Sequence, residues 1–335
     1  MAGSGAMRGF GHCRRGREYP PGMPSSHRPD APHIVVLGDL VLDVILAPLA
    51  PLQRGTDVSG RVAFVQGGSA ANTARWLGRL GARTTLVCAV GRDATGRALV
   101  DALRRDGVTV RASRIAGART ARIGVIVSPD GERSFVPDRR AAELLDAADL
   151  KPGWFAGAKA LHLPVYSLLG GPLGEAGRRA IALGRGAGAL VSVDLASIGP
   201  LMAGGRSAAQ SLIATIAPEI LFATATETDA LLDGGRVEGL LEFASIAVVK
   251  RGSKGVTVLA RAGAEPLRLE VATAPLKAAD TTGAGDAFDA GFLVGWLTAR
   301  GARRSLPDSL QRAAAAGHRA ATRQLSAPRP ELRLG

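Results

Sequence analysis

The residues best suited to chemistry form a polar turn late in the chain, Asp280-Thr281-Thr282-Gly283-Ala284-Gly285-Asp286. An apolar segment that could form a helix follows, from Ala287 to about Leu297. Positions 283–285 carry little or no side chain, so backbone N–H groups at the helix start can approach a ligand. Unpaired donors and the positive end of the helix dipole favour an anion there, above all a phosphate.

Asp286 needs a different explanation, because a carboxylate beside a phosphate repels it. Its chemical role would be to accept a proton from a hydroxyl that attacks a phosphoryl group. The structural alternative is an ordinary turn, since Asp caps helices and Gly marks turns. Two other phosphate loops are excluded: the chain has no Gly-x-x-x-x-Gly-Lys-Ser/Thr, and Gly283-Ala284-Gly285 lacks the third glycine of the dinucleotide motif.

Composition places limits on the kind of protein. A chain of 335 residues with 46% hydrophobic residues can bury a large core, as one domain with at most a small appendage. No apolar run has transmembrane length, and no hydrophobic signal core is present. The two cysteines, Cys13 and Cys88, lie in unlike contexts without metal-ligand neighbours. We therefore expect a cytoplasmic protein without disulfides.

The net charge of +13 could indicate nucleic acid or an anionic ligand. The basic residues are mostly thinly spread arginines, and only two Tyr and three Trp are available for stacking on bases. The charge therefore favours a polyanionic substrate such as ATP, and nucleic acid binding is not expected.

The first 32 residues are rich in Gly, Pro, Ser and Arg and have almost no apolar periodicity. They predict a disordered N-terminal extension. The remaining residues, 33–330, predict one folded domain.

Two further polar groups follow predicted elements early in that domain. The buried strand predicted at 33–37 ends at Gly38, and Asp39 and Asp43 come next, where open α/β sheets bind ligands. The alternative is that one or both carboxylates simply end the strand in solvent. The motif Gly67-Gly68-Ser69-Ala70-Ala71-Asn72-Thr73-Ala74 then opens a helix. The carboxamide of Asn72 can bond a sugar hydroxyl as donor and acceptor.

Strand and helix patterns alternate through the rest of the domain. Apolar runs at 84–90, 160–163, 190–194, 220–223, 246–250 and 256–259 alternate with helical segments. This alternation predicts a three-layer α/β/α fold with a mostly parallel central sheet. Two ribbons, at about 45–66 and 119–137, interrupt the pattern and predict a small β-sheet lid over the site.

Three motifs stand in one order along the chain: Gly38-Asp39…Asp43, the 67–74 segment and the 280–286 turn. Together they resemble the PfkB/ribokinase family of carbohydrate and nucleoside kinases, with support from the fragments 90–96 and 248–255. The resemblance runs from about residue 33 to 328. It implies a ribokinase-like fold and ATP-dependent phosphorylation of a hydroxyl, usually a primary alcohol of a sugar.

The resemblance also implies roles for individual residues. Asp286 matches the catalytic base, and Gly283, Ala284 and Gly285 match the anion hole for the transferring phosphoryl group. The sugar-binding positions correspond to a set near the start of the domain: Asp39, Asp43, Gly68 and Asn72.

Cofactor positions follow in the same way, with ATP and Mg²⁺ as the implied cofactors. The nucleotide-side positions are Glu227, which is associated with the magnesium–phosphate water network, together with Lys250, Gly252, Gly255 and Gly317. The turn at 252–255 also has the pattern of a hairpin with solvated lysines, which is the competing interpretation for Lys250. Asp280 and Thr282 match positions that in some members hold a monovalent cation such as potassium.

The chain departs from the family pattern in three places. Thr224 stands where many members have an Asn three residues before the glutamate. The 162–166 region lacks the acidic contact of ribokinase-like members, which disfavours ribose itself. Gln324-Leu325-Ser326 replaces the Gly-Ala pair that commonly follows the terminal Thr-Arg, which predicts a reshaped adenine pocket.

The first functional hypothesis is a Mg-ATP-dependent kinase acting on a sugar, sugar acid or sugar-like alcohol. A nucleoside kinase of the adenosine or pseudouridine type is the alternative, with Phe64 as the candidate for stacking on a base. A catalytically weak regulatory or binding member is a third hypothesis. If the lid ribbons pair edge to edge with a second copy, a homodimer is expected.

Overall fold

The computed structural model of the protein describes residues 31–128, 133–274, 276, 280–327 and 329–332. Residues 1–30 of the predicted extension lie outside the described residues. None of the helices in the described part of the chain combines the length and hydropathy needed to traverse a bilayer.

The described residues form thirteen strands and eight α-helices. The strands are β1 His33–Leu37, β2 Val41–Pro48, β3 Gly60–Gly67, β4 Arg83–Gly91, β5 Val108–Ile115, β6 Arg122–Val127, β7 Arg133–Asp138, β8 Ala160–Pro164, β9 Leu190–Asp194, β10 Ile220–Thr224, β11 Ile246–Lys250, β12 Val256–Ala260 and β13 Leu267–Val271. The helices are α1 Ser69–Arg79, α2 Ala94–Arg105, α3 Gly171–Gly186, α4 Ile198–Met202, α5 Arg206–Ile216, α6 Ala225–Leu232, α7 Ala284–Gly301 and α8 Leu306–Ser326.

Nine strands form the central sheet in the order β13-β12-β11-β10-β9-β8-β1-β4-β5. The pairs from β10–β11 across to β4–β5 are parallel, and β12 and β13 continue the sheet antiparallel. Each inner strand is a short apolar run because helices cover both of its faces. In β1, Ile34 and Val36 belong to one hydrophobic cluster, and Val35 and Leu37 belong to the other.

The two clusters are the two interfaces between the sheet and its helices. The first receives buried side chains from α1, α2, α7 and α8, and the second from α3, α4, α5 and α6. This confirms the predicted three-layer α/β/α architecture. The parallel strands β1, β9, β10 and β11 end at one edge of the sheet, where open α/β sheets bind ligands.

The two ribbons join in a separate four-stranded sheet, the lid, in the order β3-β2-β6-β7. Its middle strands β2 and β6 are parallel, and the outer pairs are antiparallel. Because side chains alternate along a strand, the lid has two faces. The inner lid face carries Asp43, Ile123, Phe135 and Pro137, which line a cavity against the main domain.

The outer lid face is apolar and open to solvent. It includes Leu46, Val62, Phe64 and Val136, which are 38%, 61%, 40% and 62% exposed. Phe64 lies on this face beside Val44, so its predicted role of stacking on a base in the cavity is wrong. Phe135, on the inner face, is the lid aromatic that lines the cavity.

After α8 the chain returns to the lid. Residues 329–332, here called the C-terminal strap, run along β3: Glu331 bridges Val65, and Leu332 N–H donates to the Phe64 carbonyl at 2.7 Å. The strap also carries Arg329 to the buried carboxylate of Asp43, at 2.7 Å. The last described residues therefore tie the lid to the main domain.

Candidate active site

The predicted phosphate turn leads directly into α7. Gly283 caps the helix with φ of 76°, a left-handed conformation that favours glycine, and no side chain caps this end. Ala284 N–H donates to the Thr281 carbonyl at 3.2 Å, whereas the amides of Gly283 and Gly285 have no hydrogen-bond partner among the described residues. Two of the three predicted anion-hole amides are therefore available to a ligand.

Asp286 lies in the first turn of α7 and is held from α1. Ser69 Oγ donates to its Oδ1 at 2.7 Å, and Asn72 Nδ2 donates to its Oδ2 at 2.9 Å. Gln66 Nε2 donates to Asn72 Oδ1 at 3.2 Å, which orients the carboxamide. Gly68 makes this approach of α1 possible: its φ is 97°, and a Cβ there would lie 2.5 Å from the Asp39 carbonyl oxygen.

Burial dominates the electrostatics of Asp286. Desolvation raises its pKa to about 7, against the opposing effect of the hydrogen bonds from Ser69 and Asn72. A carboxyl group with this pKa exchanges its proton near neutral pH. It is therefore suited to general acid–base chemistry.

A cavity of about 510 Å³ lies between Asp286 and the inner lid face. All four predicted sugar-binding residues line it: Asp39, Asp43, Gly68 and Asn72. Burial raises the pKa of Asp43, although Arg329 opposes that effect. Arg139, which the sequence analysis missed, lies 3.5 Å from the Asp39 carboxylate and stacks 4.4 Å above the Tyr166 ring.

A second cavity of about 360 Å³ lies on the other side of the α7 start. It is more apolar and is lined by Gly252, Gly255, Phe288, His318 and Leu325, among others. Gly317, predicted to line the nucleotide site, instead packs against the Phe288 ring and is not part of this wall. Lys250 and Gly285 line both cavities, so the two spaces meet at the start of α7.

Lys250 is the buried cation at that junction. Its Nζ donates to Asp194 Oδ1 at 3.0 Å and to both oxygens of Asp289 at 3.1 Å. The interpretation of Lys250 as a solvated hairpin lysine is wrong, because its side chain is only 12% exposed. The neighbouring carboxylates raise the pKa of Lys250 despite its burial, so it stays protonated at neutral pH.

Glu227 lies at the start of α6 and lines the cavity beneath the lid, as Lys250 does. Its side chain accepts from Thr224 N–H at 2.7 Å, and Thr224 Oγ1 accepts from Glu227 N–H at 3.2 Å. Thr224 thus caps α6, and with Glu227 it forms a capping box. Burial raises the pKa of Glu227, with a further contribution from Asp194.

Asp280 and Thr282, the predicted cation positions, lie at the start of the turn. Asp280 Oδ1 accepts from Thr282 N–H at 2.8 Å and is 2.9 Å from Arg133 Nη2 of β7. Its Oδ2 is 3.6 Å from Arg329 Nε. The turn is therefore tied to both the lid and the C-terminal strap.

Comparisons with known proteins find matches to both the sequence and the fold. Residues 31–331 match the sequence model described as pfkB family carbohydrate kinase. A fructokinase of Klebsiella pneumoniae is 31% identical over 289 residues, which cover 83% of this chain and 87% of that protein.

Two solved structures match most of the chain. An adenosine kinase from Sinorhizobium meliloti superposes with a TM-score of 0.77 and 25% identity, covering 90% of this chain and 97% of that one. A fructokinase with bound ATP from Xylella fastidiosa superposes with a TM-score of 0.72 and 25% identity, covering 87% and 92%.

Proposed function

The chain belongs to the pfkB family of carbohydrate kinases, and from that premise we propose that it transfers the γ-phosphoryl group of ATP to a hydroxyl of a sugar or sugar acid. The observation that carries this proposal is the meeting of two cavities at Lys250 and Gly285. The cavity covered by the lid is the more polar of the two, and the other is mainly apolar. A phosphoryl group passing between their ligands would cross the start of α7.

We propose Asp286 as the general base. It borders the cavity beneath the lid, here called the acceptor cavity, beside the amides of Gly283 and Gly285, which have no hydrogen-bond partner among the described residues. A hydroxyl bound there would lose its proton to Asp286 as its oxygen attacks the γ-phosphorus. The bond from that phosphorus to the bridging oxygen breaks, and ADP leaves. The helix start and the charge of Lys250 would stabilise the transferring group.

The acceptor would be held by the carboxylates of Asp39 and Asp43 and by the amide of Asn72, which is also bonded to Asp286. Asp43 gives one oxygen to Arg329, so its Oδ1 remains for substrate hydroxyls. Asn72 lines the cavity, and Asp39 is held between Ala70 N–H and Arg139. Several buried acceptors in one cavity suit a polyhydroxylated molecule.

ATP would occupy the more apolar cavity, with its adenine near Phe288, His318 and Leu325. Among the described residues, no group of three His, Cys, Asp or Glu side chains could hold a metal by itself. Mg²⁺ would therefore bind through the phosphates, with Glu227 and Asp194 as the nearby carboxylates that fit its water ligands. When bound, Mg²⁺ neutralises charge on the phosphates.

A nucleoside is the second candidate acceptor. Phe135 is 57% exposed on the cavity side of the lid, where an aromatic ring could stack on a base. The likeness to the Sinorhizobium adenosine kinase favours the same alternative. The fructokinase relatives and the number of carboxylates in the cavity favour a sugar.

The test is ADP release from Mg-ATP across a panel of ketoses, aldoses, sugar acids and nucleosides. The Asp286→Asn variant is assayed with every acceptor as the control. One sugar or sugar acid should give turnover that the variant loses. Turnover with nucleosides alone would replace the sugar by the second candidate, and equal rates in both proteins would contradict Asp286 as the base.

We also propose a second copy of the chain as the partner of the outer lid face. Four exposed apolar side chains cover one face of a four-stranded sheet, which suits face-to-face packing better than edge pairing. Light scattering should give the mass of a dimer, and Phe64→Glu should give the monomer. A monomeric wild type at micromolar concentration would contradict this.

A further inference from the structure

Two arginine side chains of the protein lie against the start of the phosphate turn, residues 280–286. Arg133 lies 2.9 Å from Asp280 Oδ1 and also donates to Thr281 Oγ1 at 3.0 Å. Arg329 approaches the other oxygen of Asp280 at 3.6 Å. Both guanidinium groups are largely buried, with 14% and 6% of their side chains exposed.

The Thr282 carbonyl is occupied in a similar way. Gln324 Nε2 of α8 donates to this oxygen at 3.0 Å, and Trp76 Nε1 donates to Gln324 Oε1 at 2.9 Å. The indole N–H fixes the orientation of the amide, so its NH₂ group points at Thr282. Gln324 is one of the residues at which the chain departs from the family pattern.

These contacts do not fit a potassium ion. A monovalent cation binds where several oxygens together replace its hydration shell. Here the Asp280 carboxylate and the Thr282 carbonyl both accept from N–H donors, and two arginines would repel a further cation. Among the buried side-chain oxygens of this turn in the described residues, Thr282 Oγ1 alone lacks a hydrogen-bond partner, and one hydroxyl cannot form such a shell.

We propose that Arg133 and Arg329 supply the charge at the start of the turn, so that phosphoryl transfer by this protein does not need potassium. This rests on the proposed function of the 280–286 turn. Arg329 is a positioning residue in this scheme. It bridges Asp43 of the acceptor cavity, at 2.7 Å, to Asp280 of the phosphate turn. Arg133 links β7 of the lid to the same Asp280.

The test compares KCl, NaCl and N-methylglucamine chloride at equal ionic strength, with the acceptor found in the panel. Wild-type kcat should be equal in the three salts. Arg329→Gln should lower kcat about tenfold or more without potassium, because a largely buried carboxylate loses its partner. Potassium or free guanidinium should then restore part of that loss.

Arg61→Gln is the matched control. Arg61 pairs with Glu331 of the same strap but is 70% exposed, and its described ion-pair partner is Glu331 alone. This variant should keep the wild-type rate and remain indifferent to the cation. Arg133→Gln provides a second test if Arg329→Gln does not fold, and it should respond to potassium in the same direction.

A second measurement does not depend on the acceptor. The thermal unfolding midpoint of the full chain with Mg-ATP is compared in KCl and NaCl. Wild type should show no difference, and Arg329→Gln should be stabilised selectively by KCl. A wild type that potassium activates severalfold, or stabilises over sodium, would overturn the proposal. Absence of turnover with every acceptor would instead contradict the proposed function, and the unfolding comparison would still decide the cation question.

Discussion

Two aspartates at the two ends of one glycine turn have opposite electrostatic surroundings. Asp286, at the helix end, is enclosed by α1 and neutral donors, and burial raises its pKa to about 7. Asp280, at the other end, is 41% exposed. Burial opposes its ionisation, but the hydrogen bond from the Thr282 backbone N–H and the charges of Arg329 and Arg133 outweigh this and lower its pKa.

The difference shows how one loop can contain a fixed charge and a proton acceptor. A carboxylate bonded by cations remains ionised, whereas one bonded only by a hydroxyl and an amide can gain and lose a proton. Lys250 does not reverse this, because its charge is shared by Asp194 and Asp289. The proposed base and the proposed anchor of the turn are thus distinguished by their neighbours.

The largest expected effect is a difference in kcat between variants of the two aspartates. Asp286→Asn should lower kcat by about 10²–10⁴-fold, the usual contribution of a general base. Asp280→Asn should lower it by only about tenfold, because a half-exposed ion pair contributes modestly. Both are measured as ADP release at saturating ATP. Equal losses in the two variants would remove the functional distinction between them.

The second prediction concerns stability: Asp286→Asn should make the folded protein more stable, although it lowers the activity. In the unfolded chain Asp286 ionises near pH 3.8, whereas in the folded protein its pKa is about 7. Between these values the folded state holds a proton that the unfolded state has lost, so stability falls as pH rises, by at most about 1.4 kcal/mol per unit. Above pH 7 the whole cost is present.

Asp286→Asn removes that cost. The variant should be more stable than wild type at pH 8, by about 1–3 kcal/mol, and the two should converge near pH 4. The measurement is urea unfolding at both pH values, with Asp280→Asn as the control. A variant less stable at pH 8 would contradict the raised pKa.

The smallest effect is a shift in the pH profile. The rate should rise with pH up to about 7, as Asp286 loses its proton, and then level off. Ser69→Ala removes a hydrogen bond to the ionised form, so this limb should move to higher pH by about one unit or less. Ser113→Ala, at a serine bonded to Asp149 on the surface, should leave the profile unchanged. A Ser69→Ala profile identical to wild type would exclude Ser69 as a determinant of the pKa.

Much of the fold was predictable because its signals are local. Buried strands such as β1 and β9 are continuous apolar runs, and glycines at 81 and 107 follow helices with a left-handed backbone. The strands β5 and β13 were not predicted. Both lie at the edges of the central sheet, where alternating polar residues resemble a loop or a surface helix in sequence.

The residues of the candidate site likewise fall into those with a local sequence signal and those without one. The residues Asp43, Asn72 and Asp286 belong to compact sequence motifs and line one cavity. Ser69 was within a motif but had no separate signal, because its bond to Asp286 spans 217 positions. Arg139 and Arg329 act through partners 100 and 286 positions away, and nothing local distinguishes them from other arginines. Their roles follow only from the folded chain.

The reach of the C-terminal strap has a consequence for biosynthesis. Asp43 emerges from the ribosome early, and its ionic partner Arg329 is made 286 positions later. At about 5–20 residues per second, the growing chain would hold this aspartate unpaired for roughly 15–60 seconds. Docking of the strap would therefore be among the last folding events. A chain that ended before residue 329 would lack this ionic contact between the strap and the lid.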